Sequence, residues 1–184
     1  MDIKQENLDI RMIREHLDDI PDFALPAGYS TRWYQPGDEK SWYRIHTLAD
    51  KYTKVTPNLY KKEFGSDTQI LAERQCFLLD SKRIIIGTAT AWFDEHDEHS
   101  VGRIHWIALV PAEQSKGLAK PLLTVVCNRI KDLGHSKAYL TTQTMRIPAI
   151  NLYLKFGFIP AITTDLDRQI WRRLRKHLKY TVRL

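Results

Sequence analysis

Two short apolar runs, RIHWIALV (103–110) and KAYLTTQ (137–143), flank a stretch where Leu122, Val126, Ile130 and Leu133 recur at helical spacing, with Gly134 as its stop. Strands joined through a crossing helix lie parallel to each other, whereas a hairpin makes only antiparallel neighbours. This unit therefore puts one parallel crossover into whatever sheet the chain builds. Upstream, CFLLD (76–80), the polar Ser81-Lys82-Arg83 and IIIGTATAWF (84–93) read as a β-hairpin, and DEHDEHS (94–100) as a turn into 103–110. The fold class is α/β: a mixed, mostly antiparallel sheet flanked by helices.

The other elements fill in around that frame. YSTRWY (29–34) alternates like a first strand and closes at the turn signal Pro36-Gly37. Asp38 can cap a helix with Trp42, Ile45, Ala49 and Tyr52 on one face, and PNLYKKEFG (57–65) forms a second helical piece between Pro57 and Gly65. Beyond 143 come a helix over IPAINLYLKF (147–156) capped by Gly157, an extended FIPAI (158–162), a helix over 165–179, and YTVRL (180–184) as a last strand. Residues 1–27 are weakly periodic and end in Pro-Ala-Gly. They read as an N-terminal extension, with one domain over 28–184.

Composition narrows the function classes. No apolar run reaches the ~18 residues of a membrane helix, the polar start MDIKQENLDI is not a signal peptide, and Cys76 and Cys127 both sit in apolar stretches. A reduced, cytoplasmic protein with no membrane partner is expected. The net charge of +6 is uneven: Arg168, Arg172, Arg173, Arg175, Lys176, Lys179 and Arg183 fall in a stretch without an acidic residue. That is either the solvated face of a terminal helix or a surface for RNA or an acidic partner.

The stretch VPAEQSKGLAKPLL (110–123) joins the strand to the crossing helix. A helix N-terminus has unpaired N–H groups and about half a positive charge, so it attracts anions such as phosphate. Gly117 and Ala119 leave room for close approach to the backbone, and Pro121 lacks only an N–H that a first turn does not use. The N–H groups of Ser115 to Ala119 are expected to face outward, with Lys116 and Lys120 adding charge. On spacing alone, an ordinary strand-to-helix turn explains the stretch equally well.

Two motifs together carry a resemblance. Gln114-x-x-Gly117-x-Ala119 looks like the coenzyme-binding motif of the GNAT superfamily of N-acetyltransferases, and AINLYLKFGF (149–158) is similar to that family's Ala-x-x-x-Tyr-x-x-x-Gly-Phe segment. One helix and one strand separate them, as in that fold. The resemblance implies that the strands at 103–110 and 137–143 splay, as a central parallel pair, around acetyl-coenzyme A. Backbone groups of Ile107, Ala108 and Leu109 would pair with its pantetheine arm. Gln114, Ser115, Lys116, Gly117, Leu118, Ala119 and Lys120 would form the site for its pyrophosphate. The acetyl group would pass directly to a small-molecule or protein amine, with no metal.

In that reading Tyr153 would protonate the departing sulfur, as against being a core aromatic. His105 is the candidate base on the strand before the coenzyme motif, as against a structural histidine. Arg146 replaces a family asparagine and could instead touch a phosphate. No acid occurs in Thr141-Thr142-Gln143. Trp42, Tyr52, Tyr60 and Trp106 could line an acceptor pocket or simply pack. Asp94, Glu95, His96, Asp97, Glu98 and His99 have metal-ligand chemistry but not the spacing of a zinc helix. Nucleic acid is not the expected partner, and a homodimer stays open. The alternative is a GNAT-like binding protein that uses its basic C-terminal segment.

Overall fold

The computed structural model describes residues 6–94 and 97–184, with backbone alone inside 94–100. Its elements are β1 (Asp9–Arg14), β2 (Ser30–Trp33), α1 (Glu39–Ala49), α2 (Leu59–Phe64), α3 (Thr68–Arg74), β3 (Gln75–Leu79), β4 (Ile85–Asp94), β5 (Asp97–Leu109), α4 (Ala119–Asp132), β6 (Lys137–Gln143), α5 (Ile147–Lys155), β7 (Ile159–Pro160) and α6 (Asp165–Leu174). The strands form one seven-stranded sheet in the order β2-β3-β4-β5-β6-β1-β7. Only β5 and β6 pair in parallel; the other ladders are antiparallel.

The alternation of strand side chains divides the core into two layers. On one face, Cys76, Leu78, Ala89, Ala91 and Ile104 meet Leu122, Val126 and Ile130 of α4. On the other, Phe77 and Trp92 meet Trp42, Tyr60, Phe64 and Leu71 from the first three helices. Each fully buried Leu, Val or Ile of α4 stabilises this docking by about 1.5–3 kcal/mol. Both cysteines are buried and free, their thiols pushed up to about 12 by burial.

The N-terminal stretch differs from the expected extension ahead of the core. Asp9–Arg14 pairs with β6 on one side and β7 on the other, with Ile10 and Met12 buried. Its alternating pattern is only six residues long and carries three charged groups, so hydrophobic patterning undersells it. Arg14 is itself buried and donates to the carbonyls of His16 and Phe156. Gly157, at φ +76°, ends α5 where any side chain would collide with that guanidinium.

Tyr180–Leu184 forms no strand, although Val182 is buried in the core. The helix expected to Lys179 stops at Leu174 and tightens into a 3-10 turn over Arg175–His177. Helix α6 buries Ile170, Trp171 and Leu174, while Arg172, Arg173, Arg175, Lys176, Lys179 and Arg183 stand exposed. Helix α1 ends at Ala49, short of Tyr52, and α3 appears where no element was expected. No helix among the described residues is long and apolar enough to cross a membrane.

Candidate functional site

The parallel pair of β5 and β6 opens partway along. Ladder partners run from Val101↔Lys137 to Arg103↔Tyr139 and stop there. The cause lies on the other edge of β5: Thr90 faces His105 and Thr88 faces Ala108, so β5 carries one extra residue, a β-bulge. Trp106 occupies it with φ +50°. A bulge bends its strand, and here β5 diverges from β6, which keeps β1 on its far side. Between them lies a cleft of about 640 Å³, a volume suited to a small ligand.

At one end of the cleft is the loop from β5 to α4. Gln114 donates its side-chain amide to the Leu109 carbonyl at 2.9 Å, tying the loop to the strand end. Ser115 (φ +63°) and Gly117 (φ +82°) turn the chain. Among the described residues, no hydrogen bond engages the N–H groups of Ser115, Lys116, Gly117, Leu118 and Ala119. A Cβ at Gly117 would meet open space. Consecutive free N–H groups at the start of a long helix form a concavity that can hold an anion. Pro121 falls in the first turn of α4, where an N–H has no helical partner anyway.

Tyr153 of α5 is 6% exposed and lines the same cleft. Burial pushes its hydroxyl up to about 12, so at neutral pH it keeps its proton and has an O–H to donate.

The other end is built of side chains. His105 of β5 is buried, with Nε2 3.0 Å from Glu63 Oε2 but off the line of a hydrogen bond. Burial lowers its pKa, with Glu63 opposing. Glu63 of α2 also accepts from Trp106 Nε1 at 3.0 Å. Contact with His105 brings its carboxyl down to about 2 against the pull of burial, and the Trp106 N–H adds to the fall. His46 of α1 packs on the rings of Trp42 and Trp106, and burial takes it down to about 3. Asp50 accepts from the N–H groups of Tyr52 and Thr53 and from Arg146 Nη2 at 2.7 Å; burial raises its pKa, but those bonds outweigh it.

Of the residues singled out from the sequence, His105, Ile107, Ala108, Leu109, Gln114, Ser115, Ala119 and Tyr153 line the cleft. Gly117 and Leu118 are not among the lining residues, and Leu118 buries its side chain in the core. Lys116 pairs with Glu113 at 2.9 Å and Lys120 lies over the Phe23 ring at 5.6 Å, so both cations are engaged within the fold. Arg146 lines the cleft bound to Asp50 and Gln143. Trp106 alone of the proposed aromatic lining is there: Trp42 and Tyr60 are core, and Tyr52 is exposed beneath Arg146.

Glu63, His46 and Asp50 are among the cleft residues that sequence reasoning missed. His46 left a signal, since it shares the apolar face of α1 with Trp42 and Ile45. Helix α2 is too short for periodicity to mark Glu63. Among the described residues, no cluster of three or more His, Cys, Asp or Glu could hold a metal. Glu95 and His96, and the side chains of the 94–99 cluster, lie outside those residues.

A family model described as the acetyltransferase (GNAT) family matches residues 38–158. Similar curated proteins include the mycothiol acetyltransferases of Pseudarthrobacter chlorophenolicus, 28% identical over 76% of this chain and 45% of that protein, and of Streptomyces coelicolor, 24% identical over 82% and 50%. The chain spans about half the length of these relatives. Among solved structures, a GCN5-related N-acetyltransferase from Sphaerobacter thermophilus superposes with a TM-score of 0.66 at 21% identity, over 85% of this chain and 50% of that one. The ribosomal-protein-S18-alanine N-acetyltransferase of Escherichia coli gives 0.60 at 19%, over 74% and 86%. A Salmonella typhimurium structure with its cofactor acetyl-CoA gives 0.59 at 16%, over 72% and 80%. These likenesses establish the seven-stranded mixed fold.

Proposed function

The chain belongs to the GNAT acetyltransferase family, and from that membership we propose that it moves the acetyl group of acetyl-coenzyme A directly to a primary amine. One observation carries the reading: a loop of free N–H groups, an opened parallel strand pair and a protonated tyrosine share one cleft. The N–H groups of Ser115 to Ala119 suit a diphosphate, and the open space at Gly117 admits it. Ile107, Ala108 and Leu109, on the stretch of β5 without a β6 partner, offer backbone groups to an extended amide-bearing arm. Acetyl-coenzyme A, held there, would supply the acetyl group as a thioester.

Tyr153 is the proton donor to the sulfur that leaves, and His105, neutral at physiological pH, is the base. The fold holds both in place, Tyr153 on α5 and His105 beside the β5 bulge. The mycothiol acetyltransferase relatives and the ribosomal-protein acetyltransferase make both small-molecule and protein amines fair acceptors to screen. Isothermal titration with acetyl-coenzyme A, followed by thiol release in the presence of amines, tests the reading. Saturable binding with amine-dependent thiol release is expected, and absence of binding overturns it.

A further inference from the structure

Arg103 and Tyr139 are partners on the last rung of the parallel ladder, and paired residues put their side chains on the same side of a sheet. That side is the one the first three helices cover: Trp92, the partner of Arg103 on β4, packs against Phe64 of α2. Farther across the sheet the cover ends, and Arg11 of β1 and its partner Thr141 of β6 are exposed. Tyr139 is 6% exposed, with the Arg11 guanidinium 4.0 Å and the Arg103 guanidinium 5.7 Å from its ring centroid.

Other arginines of this chain find acceptors. Arg32 and Arg146 hold Asp38 and Asp50, and Arg129 donates to the Glu73 carbonyl. Among the described residues, Arg11 and Arg103 make no ion pair, and Nε of Arg103 is shut off from solvent with no acceptor. A buried N–H normally has one. The carboxylates nearby are otherwise placed. Glu63 accepts from Trp106 Nε1, Asp50 is bound to Arg146, and Asp9, two positions before Arg11, pairs with neither arginine.

Arg103 also lines the cleft, as do Asp9 and Thr141. It stands on the far side of the β5 bulge from the β5–α4 loop. At about 3.3 Å per residue, less the kink of the bulge, roughly 15–20 Å of strand separates it from Leu109. An anion seated at Arg103 is therefore not the diphosphate assigned to Ser115 to Ala119. It belongs to a ligand that enters from the other end. A guanidinium lying over an aromatic ring keeps its N–H edge free, and that edge matches the paired oxygens of a carboxylate or phosphate.

We propose that Arg103, with Arg11 beside it, forms a subsite for an oxyanion on the acceptor, so that the amine this chain acetylates also carries a carboxylate or phosphate. The proposal rests on the acetyltransferase reading and adds the class of acceptor to it. Arg103 makes the shielded contact, and Arg11 adds attraction at the exposed edge. An acceptor that lacks the oxyanion leaves the Arg103 N–H groups unmatched inside the closed complex, and that loss sets the preference.

The test uses probe pairs that differ mainly by an oxyanion: γ-aminobutyrate and n-butylamine, lysine and its methyl ester, phosphoethanolamine and ethanolamine. Thiol release gives kcat/KM for each, and the ratio within a pair is the readout, because general damage to the cleft cancels in it. Wild type is expected to favour the charged member about tenfold or more in at least one pair, and that pair tells carboxylate from phosphate. Arg103→Gln should cut the ratio about 10- to 100-fold, the worth of a hydrogen bond to a charged partner, and Arg11→Gln less than about fivefold. Arg103→Lys keeps the charge without the planar fork and should recover only part. A second arm needs no turnover. In isotope-labelled wild type saturated with coenzyme A, the Arg103 Nε–H resonance should shift with the charged member of that pair and not with its partner. No preference in any pair, a ratio untouched by Arg103→Gln, or a resonance that no charged probe moves overturns the proposal. Failure of wild type to bind acetyl-coenzyme A overturns instead the reading beneath it.

Discussion

At the loop end, the proposed coenzyme site offers main chain from consecutive residues, Ser115 to Ala119, with the nearby lysines turned to Glu113 and Phe23. The bulge end offers side chains that α1, α2, β5 and the turn after β6 bring together. N–H groups in a row recognise any phosphate and need nothing from side chains beyond clearance. Converging side chains recognise one shape and charge, and each depends on the packing of its own element. The loop end is thus suited to a constant ligand and the bulge end to a variable one.

The contrast can be broken in four places. Tyr153→Phe should lower kcat at least about 100-fold while leaving acetyl-coenzyme A binding intact, as loss of a general acid does. Steady-state thiol release with a titration control checks it, and an unchanged kcat removes Tyr153 as the donor.

Gly117→Val should weaken acetyl-coenzyme A binding about tenfold. The β-branched residue disfavours φ +82° by about 1–2 kcal/mol and puts methyl groups where the loop is open. Amine KM should not change, and a shift in both would show that the two ends are coupled.

The third prediction concerns the bulge end alone. His46 titrates at about 3 when folded against about 6.5 when unfolded, so stability is full above pH 6.5. As pH falls below that value the unfolded chain takes up the proton first, and stability drops by about 1.4 kcal/mol per pH unit until about pH 3. Denaturant midpoints measured from pH 7 to 4 should fall more steeply for wild type than for His46→Gln. Parallel curves would mean that His46 is not buried as a neutral ring.

The smallest effect should come from Lys116→Ala and Lys120→Ala. Each is expected to change acetyl-coenzyme A affinity less than about threefold, since exposed or already engaged charges contribute little. A large, salt-dependent loss from either would mean that side-chain charge and not the backbone holds the anion.

Legibility in the sequence followed the same division. Gln114, Gly117, Ala119 and Tyr153 stand in motifs because each works within one segment, and the strand–helix–strand unit forced the parallel pair. Glu63 carries no such mark. It matters only because α2 delivers its carboxylate to Trp106 and His105, more than forty positions along the chain. The N-terminal stretch misled for a related reason: DIRMIR is a modest strand by itself, and its place is set by the partners on both sides, β6 and β7. The last strand expected at Tyr180–Leu184 fails the other way, an alternating pattern with no ladder to join.

By itself, then, the sequence determined what local chemistry can encode: the mixed sheet, the crossover, the open first turn of α4 and the tyrosine on α5. Periodicity and turn residues act over a few positions and need no knowledge of the whole chain. Tertiary structure alone decided that Asp9–Arg14 lies inside the sheet, that Lys120 lies over the distant Phe23 ring, and that Glu63, His46 and His105 surround one indole. Those outcomes depend on which distant surfaces bury one another, a competition among long-range contacts that no local pattern records.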